Sequence, residues 1–403
     1  MAERPLNVII VGGSICGLFA GIVFKRQGHS VRILERNPTA TLHDQGAGLV
    51  SDDDLEAFMR KHDKTHSALF VTSTSRHYLG PDGSILEESD RSQKMSSWDL
   101  LYFILRANYD GLKSNYCMQP PPKEAHDGSA TYEYGCAVLD VKEINSSSVE
   151  VTFNDPLGNQ QRSQCDLVIA ADGASSTVRG IHLANVTRDY VGYVAWRGTV
   201  GESQLSPTAK DLFLEHTVFF QGDDTQVVAY TIPGLNGSLE PGQRLANWVW
   251  YCNYPLDSAE HTRVMTSAGG YRHRLTVPAG KVQPEVWTEQ RAQARATLPL
   301  QLAEIINQTD KPFVQRITDV ISPCNSFLAG KVLLTGDALA GFRPHTGAST
   351  NQAAFDVLKL EQVLTGQLDL ESWQRYTMDY ARDLQRIGVR LGQQSQFGKD
   401  SSS

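Results

Sequence analysis

Three short stretches carry residues whose types and spacing suit the binding of a dinucleotide. The first, "VGGSICG", spans Val11 to Gly17. It follows an apolar run, Val8–Val11, and opens a segment, Ile15–Gln27, with Leu18, Ile22 and Val23 on one helical face; Gly28 stops it. A second apolar run, Val31–Leu34, ends at Glu35, 23 residues after Gly12. Strand, glycine turn, helix and strand make a βαβ start. A helix N-terminus offers free N–H groups and the positive end of a dipole to a pyrophosphate. Gly12 permits the tight turn and Gly17 lets helix and strand pack closely. The middle glycine of G-x-G-x-x-G is here Ser14, small and able to donate to a phosphate, with Gly13 adding slack beside it. Glu35, followed by Arg36, stands where a carboxylate accepts hydrogen bonds from a ribose diol.

The second stretch, "CDLVIAADGASSTVR", is a buried-strand run that ends in Asp172-Gly173, with Ser176 and Arg179 shortly after. The third, "VLLTGDALAGFRPHTGASTNQAAFD", ends a strand at Gly336-Asp337 and leads through Pro344–Asn351 into a helix, Thr350–Leu364. Asp337 can take a ribitol or ribose hydroxyl. The loop after Pro344 can lay the backbone N–H groups of Gly347, Ala348 and Ser349 against a flavin ring or a phosphate. Either pair alone is an ordinary strand-end turn. A dehydrogenase that uses only the first motif leaves the other two unexplained.

Between these stretches the pattern changes. Residues 186 to about 290 hold alternating strand signals, "YVGYVAWRGTV", "HTVFFQG", "TQVVAYTIPG" and "ANWVWYCNY", rich in aromatics. They predict an antiparallel sheet that forms one wall of a pocket. Candidate chemistry on it comes from Arg197, able to orient an anion, Tyr230, able to relay a proton, and His345 in the third motif, able to act as a base; His216 is a weaker alternative base. Tyr190 and Tyr193, three apart, fall on opposite faces of a regular strand, and Gly192 leaves room beside it for a bulky group. Pro284–Leu300 and Ser372–Gly392 read as helical, and residues from about 395 as frayed.

Composition excludes several classes. Thirty-seven Lys and Arg against 45 Asp and Glu give a net charge of −8, against a general nucleic-acid binder. No apolar run is long enough to span a membrane, and no signal-peptide run is read at the start, so a cytoplasmic protein is expected. The six cysteines are scattered without a C-x-x-C pair, as reduced thiols would be. No metal site is expected: His62 and His66 in "HDKTH" lack the glutamate of H-E-x-x-H. "GGSICG" is not a nucleophile elbow, because two residues separate Ser14 from Gly17.

Together, Gly12–Gly17 with Glu35, Asp172-Gly173 with Arg179, and Gly336-Asp337 resemble the three motifs of the single-component flavin-dependent aromatic hydroxylases, the para-hydroxybenzoate hydroxylase-like family. Arg106 in "LYFILRANY" is similar to a helix arginine that contacts FAD in that family. "RDYVGYVAWRG", "NWVWYCNYP" and "RPH" resemble the hydroxypyridine hydroxylase subgroup, which tolerates G-G-S in the first turn. The resemblance covers nearly the whole chain. It implies a mixed α/β fold: a Rossmann-like FAD-binding domain (1–76, 106–182 and 291–365), an interleaved antiparallel-sheet substrate domain (77–105 and 183–290) and C-terminal helices (366–403).

It also implies non-covalent FAD, with NADPH or NADH as co-substrate. O2 would be used through a C4a-hydroperoxyflavin to hydroxylate a small phenol-type ring, with or without decarboxylation. Epoxidation or oxidation of a natural-product intermediate, and a flavoprotein oxidase or reductase that releases H2O2, are the alternatives. The C-terminal helical stretch suits a homodimer. His345 departs from the small or acidic residue more usual in the family.

Overall fold

The computed structural model describes residues 4–39 and 48–398. The expected βαβ start is present: β1 (Asn7–Val11), α1 (Ile15–Arg26) and β2 (Ser30–Glu35). These strands are buried on both faces, as parallel strands flanked by other layers must be. β1 sits in the middle of a six-stranded sheet among the described residues. β2 and then Ala130–Tyr134 lie on one side of it; Leu167–Ala170, Val332–Leu334 and Ser326–Phe327 lie on the other. All pairings are parallel except that of the last strand. All three dinucleotide motifs therefore leave the sheet at the same edge, the carboxyl ends of neighbouring parallel strands, where α/β folds bind ligands.

Nearly every side chain of α1 is buried, because the helix lies among the sheet, the Trp98–Asp110 helix and the Ser349–Leu364 helix. The other face of the sheet is covered by a three-stranded antiparallel unit, Ala137–Cys165.

The second layer is a mostly antiparallel sheet in the order Thr276–Val277, Phe313–Ile321, Asp189–Gly201, Leu245–Asn253, Thr225–Ile232, His216–Gly222, Ser75–Leu79 and Ile85–Ser89; Ala340–Gly341 pairs with Phe313–Ile321. It is broader than the expected 183–290 segment. Phe313–Ile321 joins it from the far side of that boundary, and its 77–105 contribution starts at Ser75 and ends at Ser89. The Trp98–Asp110 helix belongs with the parallel-sheet core, packed on α1. The expected helix Pro284–Leu300 is two, Pro284–Thr297 and Leu300–Gln308, separated where Pro299 cannot continue the first.

The last helix runs Leu370–Phe397 and does not fray at 395. Ser395 and Gln396 are buried, Asn253 donates to the Gln396 carbonyl (2.7 Å), and Phe397 fills the space beside Gly192, 3.2 Å from where a Cβ would stand. No helix among the described residues is long and apolar enough to cross a membrane.

Gly12 has φ +97°, and a Cβ there would lie 2.4 Å from the Ala171 carbonyl oxygen. Ser14, by contrast, has φ −77° and makes no capping bond, so no glycine is needed there. Gly12→Ala is expected to lower the unfolding free energy by at least about 2 kcal/mol, from the left-handed backbone and the clash together, and Ser14→Gly by less than about 1 kcal/mol. Urea midpoints of the two variants check this ordering.

Candidate active site

A groove runs along the common edge of the parallel strands. Its outer part, about 430 Å³, is lined by Gly12, Ser14, Glu35, Arg36, Asn37, Asp172 and Gly173 among others. Its inner part, about 490 Å³, is lined by Ser14, Ile15, Cys16, Gly173, Asp337, Ser349 and Thr350, and on the sheet side by Arg197, Phe313 and Gln315. Ser14, Ala171 and Gly173 border both parts, so the two form one elongated site. The α1 N-terminus, with the uncapped Ser14, faces it.

Each motif residue is held by a nameable contact. Glu35 accepts the N–H groups of Gly13 (2.8 Å) and Asn37 (2.8 Å), which fixes its carboxylate at the outer end. A Cβ at Gly13 would strike the Tyr132 hydroxyl, which donates to the Gly13 carbonyl (2.9 Å). Asp172 caps the Thr177–His182 helix, accepting from the Ser176 hydroxyl (2.5 Å) and the Thr177 N–H (2.6 Å); burial raises its carboxyl above the usual range. Arg179 donates to the carbonyls of Ala338 (2.7 Å) and Ala174 (2.6 Å), tying the second motif to the third. It does not border the groove. Gly336 donates its N–H to the buried Asp356 (2.8 Å). Asp337 faces the inner groove, its carboxyl raised by burial against the opposing pull of Arg188.

Arg106 lies outside the groove. It is 2% exposed, donates to Asp110 (2.7 Å), Tyr102 (2.9 Å) and Tyr134, and sits 3.7 Å from the Tyr132 ring centroid. Since Tyr132 holds Gly13, Arg106 acts on the glycine turn through a tyrosine. The groove residue its helix supplies is Trp98.

These groups fit FAD: a helix N-terminus for the pyrophosphate, a carboxylate at each end to accept from hydroxyls, and an inner chamber bordered by Ser349 and Thr350.

A separate cavity of about 400 Å³ lies beyond that chamber, under the half of the sheet from Leu245–Asn253 to Ser75–Leu79. Arg197, Leu49, Ser349 and Thr350 line both spaces. The alternation of the strands decides which side chains enter. Thr217 and Phe219 do, as do Gln226, Val228 and Tyr230, and Val249 and Tyr251. The Pro344–Ser349 loop closes another side and brings His345 in. That loop is anchored by Arg343, which binds Asp319 in two places (3.0 and 2.7 Å).

His216 is out of phase with Thr217 and does not enter the cavity; its Nδ1 meets the Ser75 hydroxyl (2.9 Å) and its ring stacks on His77 at 4.2 Å. As a candidate base it is set aside. His62 pairs with Glu361 (3.2 Å), and His66 is exposed with φ +54°, so the two share no face.

His345 is bonded at both ring nitrogens, Nε2 to the Tyr193 hydroxyl (2.9 Å) and Nδ1 to Gln226 Oε1 (3.0 Å), and its ring lies 4.2 Å from that of Tyr251. Gln226 Oε1 can only accept, so the neutral tautomer carries its proton on Nδ1 and Nε2 accepts from Tyr193. Burial, then Arg343 and Arg197, push the imidazole down to about 3. Tyr230 is raised by burial, with Arg197 and Asn247 opposing. Tyr193 was noted from the sequence only for its strand face, which is in phase with Arg197; Gln226, Asn247 and Arg76, the last also lining the cavity, were not singled out, and nothing local marks them.

This architecture is similar to the fold of solved FAD-dependent hydroxylases, and the chain is similar in sequence to FAD-dependent monooxygenases. Residues 190–319 match the family described as FAD binding domain-like. The chain is 25% identical over 400 residues to 2,6-dihydroxypyridine 3-monooxygenase of Paenarthrobacter nicotinovorans, covering 97% of this chain and 93% of that protein. It is 24% identical over 412 residues to aurachin C monooxygenase/isomerase of Stigmatella aurantiaca, covering 98% and 91%. Among solved structures, 2,6-dihydroxypyridine-3-hydroxylase from Arthrobacter nicotinovorans superposes with a TM-score of 0.85 at 23% identity, over 100% of this chain and 96% of that one.

The depressed His345 predicts a sign. As pH falls below about 6.5, the unfolded chain takes up this proton first, so stability is whole above that pH and lost toward about 3. The unfolding free energy of the protein should therefore fall more steeply than that of His345→Gln between about pH 6.5 and 4. Parallel curves from urea titrations would contradict a buried neutral imidazole.

Proposed function

We propose that the chain hydroxylates a small aromatic or heteroaromatic ring of the phenol or hydroxypyridine type. NAD(P)H would be the reductant and O2 the oxidant. One oxygen atom enters the ring and the other leaves as water; a ring carboxylate is lost as CO2 where it occupies the attacked carbon. The observation that carries this reading is the placement of Arg197 on the border between the FAD-fitting groove and the aromatic cavity. FAD, when bound, supplies the two-electron store and the centre at which O2 is activated.

The chain's own residues have defined tasks. An ionised phenol is the more electron-rich ring, and a guanidinium beside it favours the ionised form. Arg197 has that position, and no salt bridge among the described residues competes for its charge. Tyr230 and Tyr251 are both raised by burial, so they stay protonated and serve as donors to a substrate oxygen. His345 was expected as the base, but burial with Arg343 and Arg197 pushes its imidazole down to about 3, so it stands at the cavity wall as a neutral group held by Tyr193 and Gln226 and does not take the phenol proton. The apolar walls at Leu49, Val50, Met95 and Val228 exclude water from the reacting face.

The test is NADH and NADPH oxidation by the FAD-loaded protein with a panel of phenols, hydroxybenzoates and hydroxypyridines, product masses being read in parallel. One ring should accelerate oxidation and gain one oxygen, or exchange a carboxylate for a hydroxyl. Oxidation that yields only H2O2 with every ring would overturn the reading. Arg197→Met should keep bound FAD and lower kcat with the active ring by about 100- to 1,000-fold, the scale of losing one charge-stabilising donor.

A further inference from the structure

We infer that Asn247 is a positioning residue: it turns the Tyr230 hydroxyl into the cavity as a hydrogen-bond donor, so that the site favours a ring whose oxygen is an acceptor, a ring carbonyl or a phenolate. This rests on the hydroxylase reading for the kind of ligand and adds the group that orients it. Asn247 is on the Leu245–Asn253 strand, between Asp189–Gly201 and Thr225–Ile232. It stands directly opposite Tyr230 in the register and in phase with Val249 and Tyr251, which line the cavity. It is 2% exposed and does not itself border the cavity, whereas Tyr230 does.

The amide can face Tyr230 in one sense only. Asn247 Oδ1 accepts the Gly48 N–H (3.1 Å). That bond fixes which end of the amide is left over: Nδ2, which can only donate. Nδ2 is buried and has no hydrogen-bond partner among the described residues. Gly48 holds the two side chains close to one point, since a Cβ there would lie 2.8 Å from the Tyr230 hydroxyl and 3.0 Å from Asn247 Cγ. The amide already acts on that hydroxyl, opposing the rise that burial imposes on it. A donor that faces the Tyr230 oxygen leaves the hydroxyl proton to point away from it, and the open side of Tyr230 is the cavity. The same donor polarises the O–H bond and makes it the stronger donor. A ring oxygen that accepts gives the hydroxyl its partner. A ring without such an oxygen leaves a buried donor unmatched, which costs binding.

The test is a fluorine NMR titration of 2,6-difluorophenol bound to the FAD-loaded protein. Its resonance reports the ionised fraction of the ring against pH, and calorimetry gives the affinity. Arg197, Tyr251 and His345 also face the cavity and are the same in every variant. Asn247→Leu should move the ionisation of the bound ring upward by about 0.5 to 1 pH unit, a loss of phenolate affinity of about 3- to 10-fold, with FAD still bound. Tyr230→Phe should lose at least as much. The double variant should lose no more than Tyr230→Phe, because both act through one hydroxyl. Asn247→Asp keeps the bond from Gly48 and replaces the Leu variant if that one does not fold. Its carboxylate accepts from the Tyr230 hydroxyl, which should move the ionisation upward as well. Effects that add, or an Asn247 variant that ionises the ring as the parent does, would overturn the assignment. So would a parent protein that binds the methyl ether of the same phenol as tightly as the phenol, or binds neither. The titration needs no turnover, so the two readings fail separately. Coupling of Asn247 to Tyr230 in a protein that hydroxylates no ring would overturn hydroxylation alone. Hydroxylation without that coupling would overturn the role of Asn247 alone.

Discussion

Everything at this site depends on how closely the Gly12 turn approaches the neighbouring strand. The Gly12 backbone lies against the Ala171 carbonyl with no room for a Cβ, and a Cβ at Gly17 would lie 1.9 Å from the Gly12 carbonyl. Two strands and a helix are pressed together at one point, and only glycine permits it. The consequence is spatial. Because β1, Leu167–Ala170 and Val332–Leu334 are adjacent and parallel, the turns that follow them converge on one groove. Arg179 then joins the second and third turns through carbonyls of each. Residues more than 300 apart in sequence line a single cavity because of that packing, not because of any local signal.

The electrostatics divide along the same geometry. Carboxyl groups, Glu35, Asp172 and Asp337, border the long groove, where hydroxyl-bearing chains need acceptors. The cavity under the second sheet has arginines and neutral donors instead. Arg197 stands at the border and belongs to both. Its strand, Asp189–Gly201, is central in the sheet, held by Phe313–Ile321 on one side and Leu245–Asn253 on the other, so its position is set by two ladders of hydrogen bonds. The C-terminal helix adds a further constraint. Gly392 packs against Tyr193 and Phe397 against Gly192, which ties the end of the chain to the residues that hold His345.

The parts of this site legible in the sequence are those with local signatures. A buried strand followed by a glycine or aspartate turn is a four- to six-residue pattern, and all three motifs were found this way. Arg197, Tyr230 and His345 were reachable because each sits beside a motif or in a regular strand. His216 was misjudged by one step of the two-residue period: it neighbours Thr217, which enters the cavity, and therefore faces away. Arg106 was placed in the groove by resemblance, whereas the structure routes its influence through Tyr132. The sheet boundary moved because Phe313–Ile321 pairs with Asp189–Gly201 across more than 100 residues, and long-range pairing leaves no local trace. Arg76 was invisible for the same reason; its strand pairs in parallel with His216–Gly222.

The central claim is that one continuous site holds FAD along the strand ends and a ring beyond Arg197. A crystal structure of the FAD-loaded protein tests it most directly. The adenosine ribose is expected at Glu35, the pyrophosphate at the α1 N-terminus near Ser14, and the isoalloxazine in the chamber bounded by Arg197, Asp337 and Ser349, with the cavity lined by Tyr230 and His345 left open to a ring. FAD bound elsewhere, or an isoalloxazine that fills the Tyr230–His345 cavity, would contradict it.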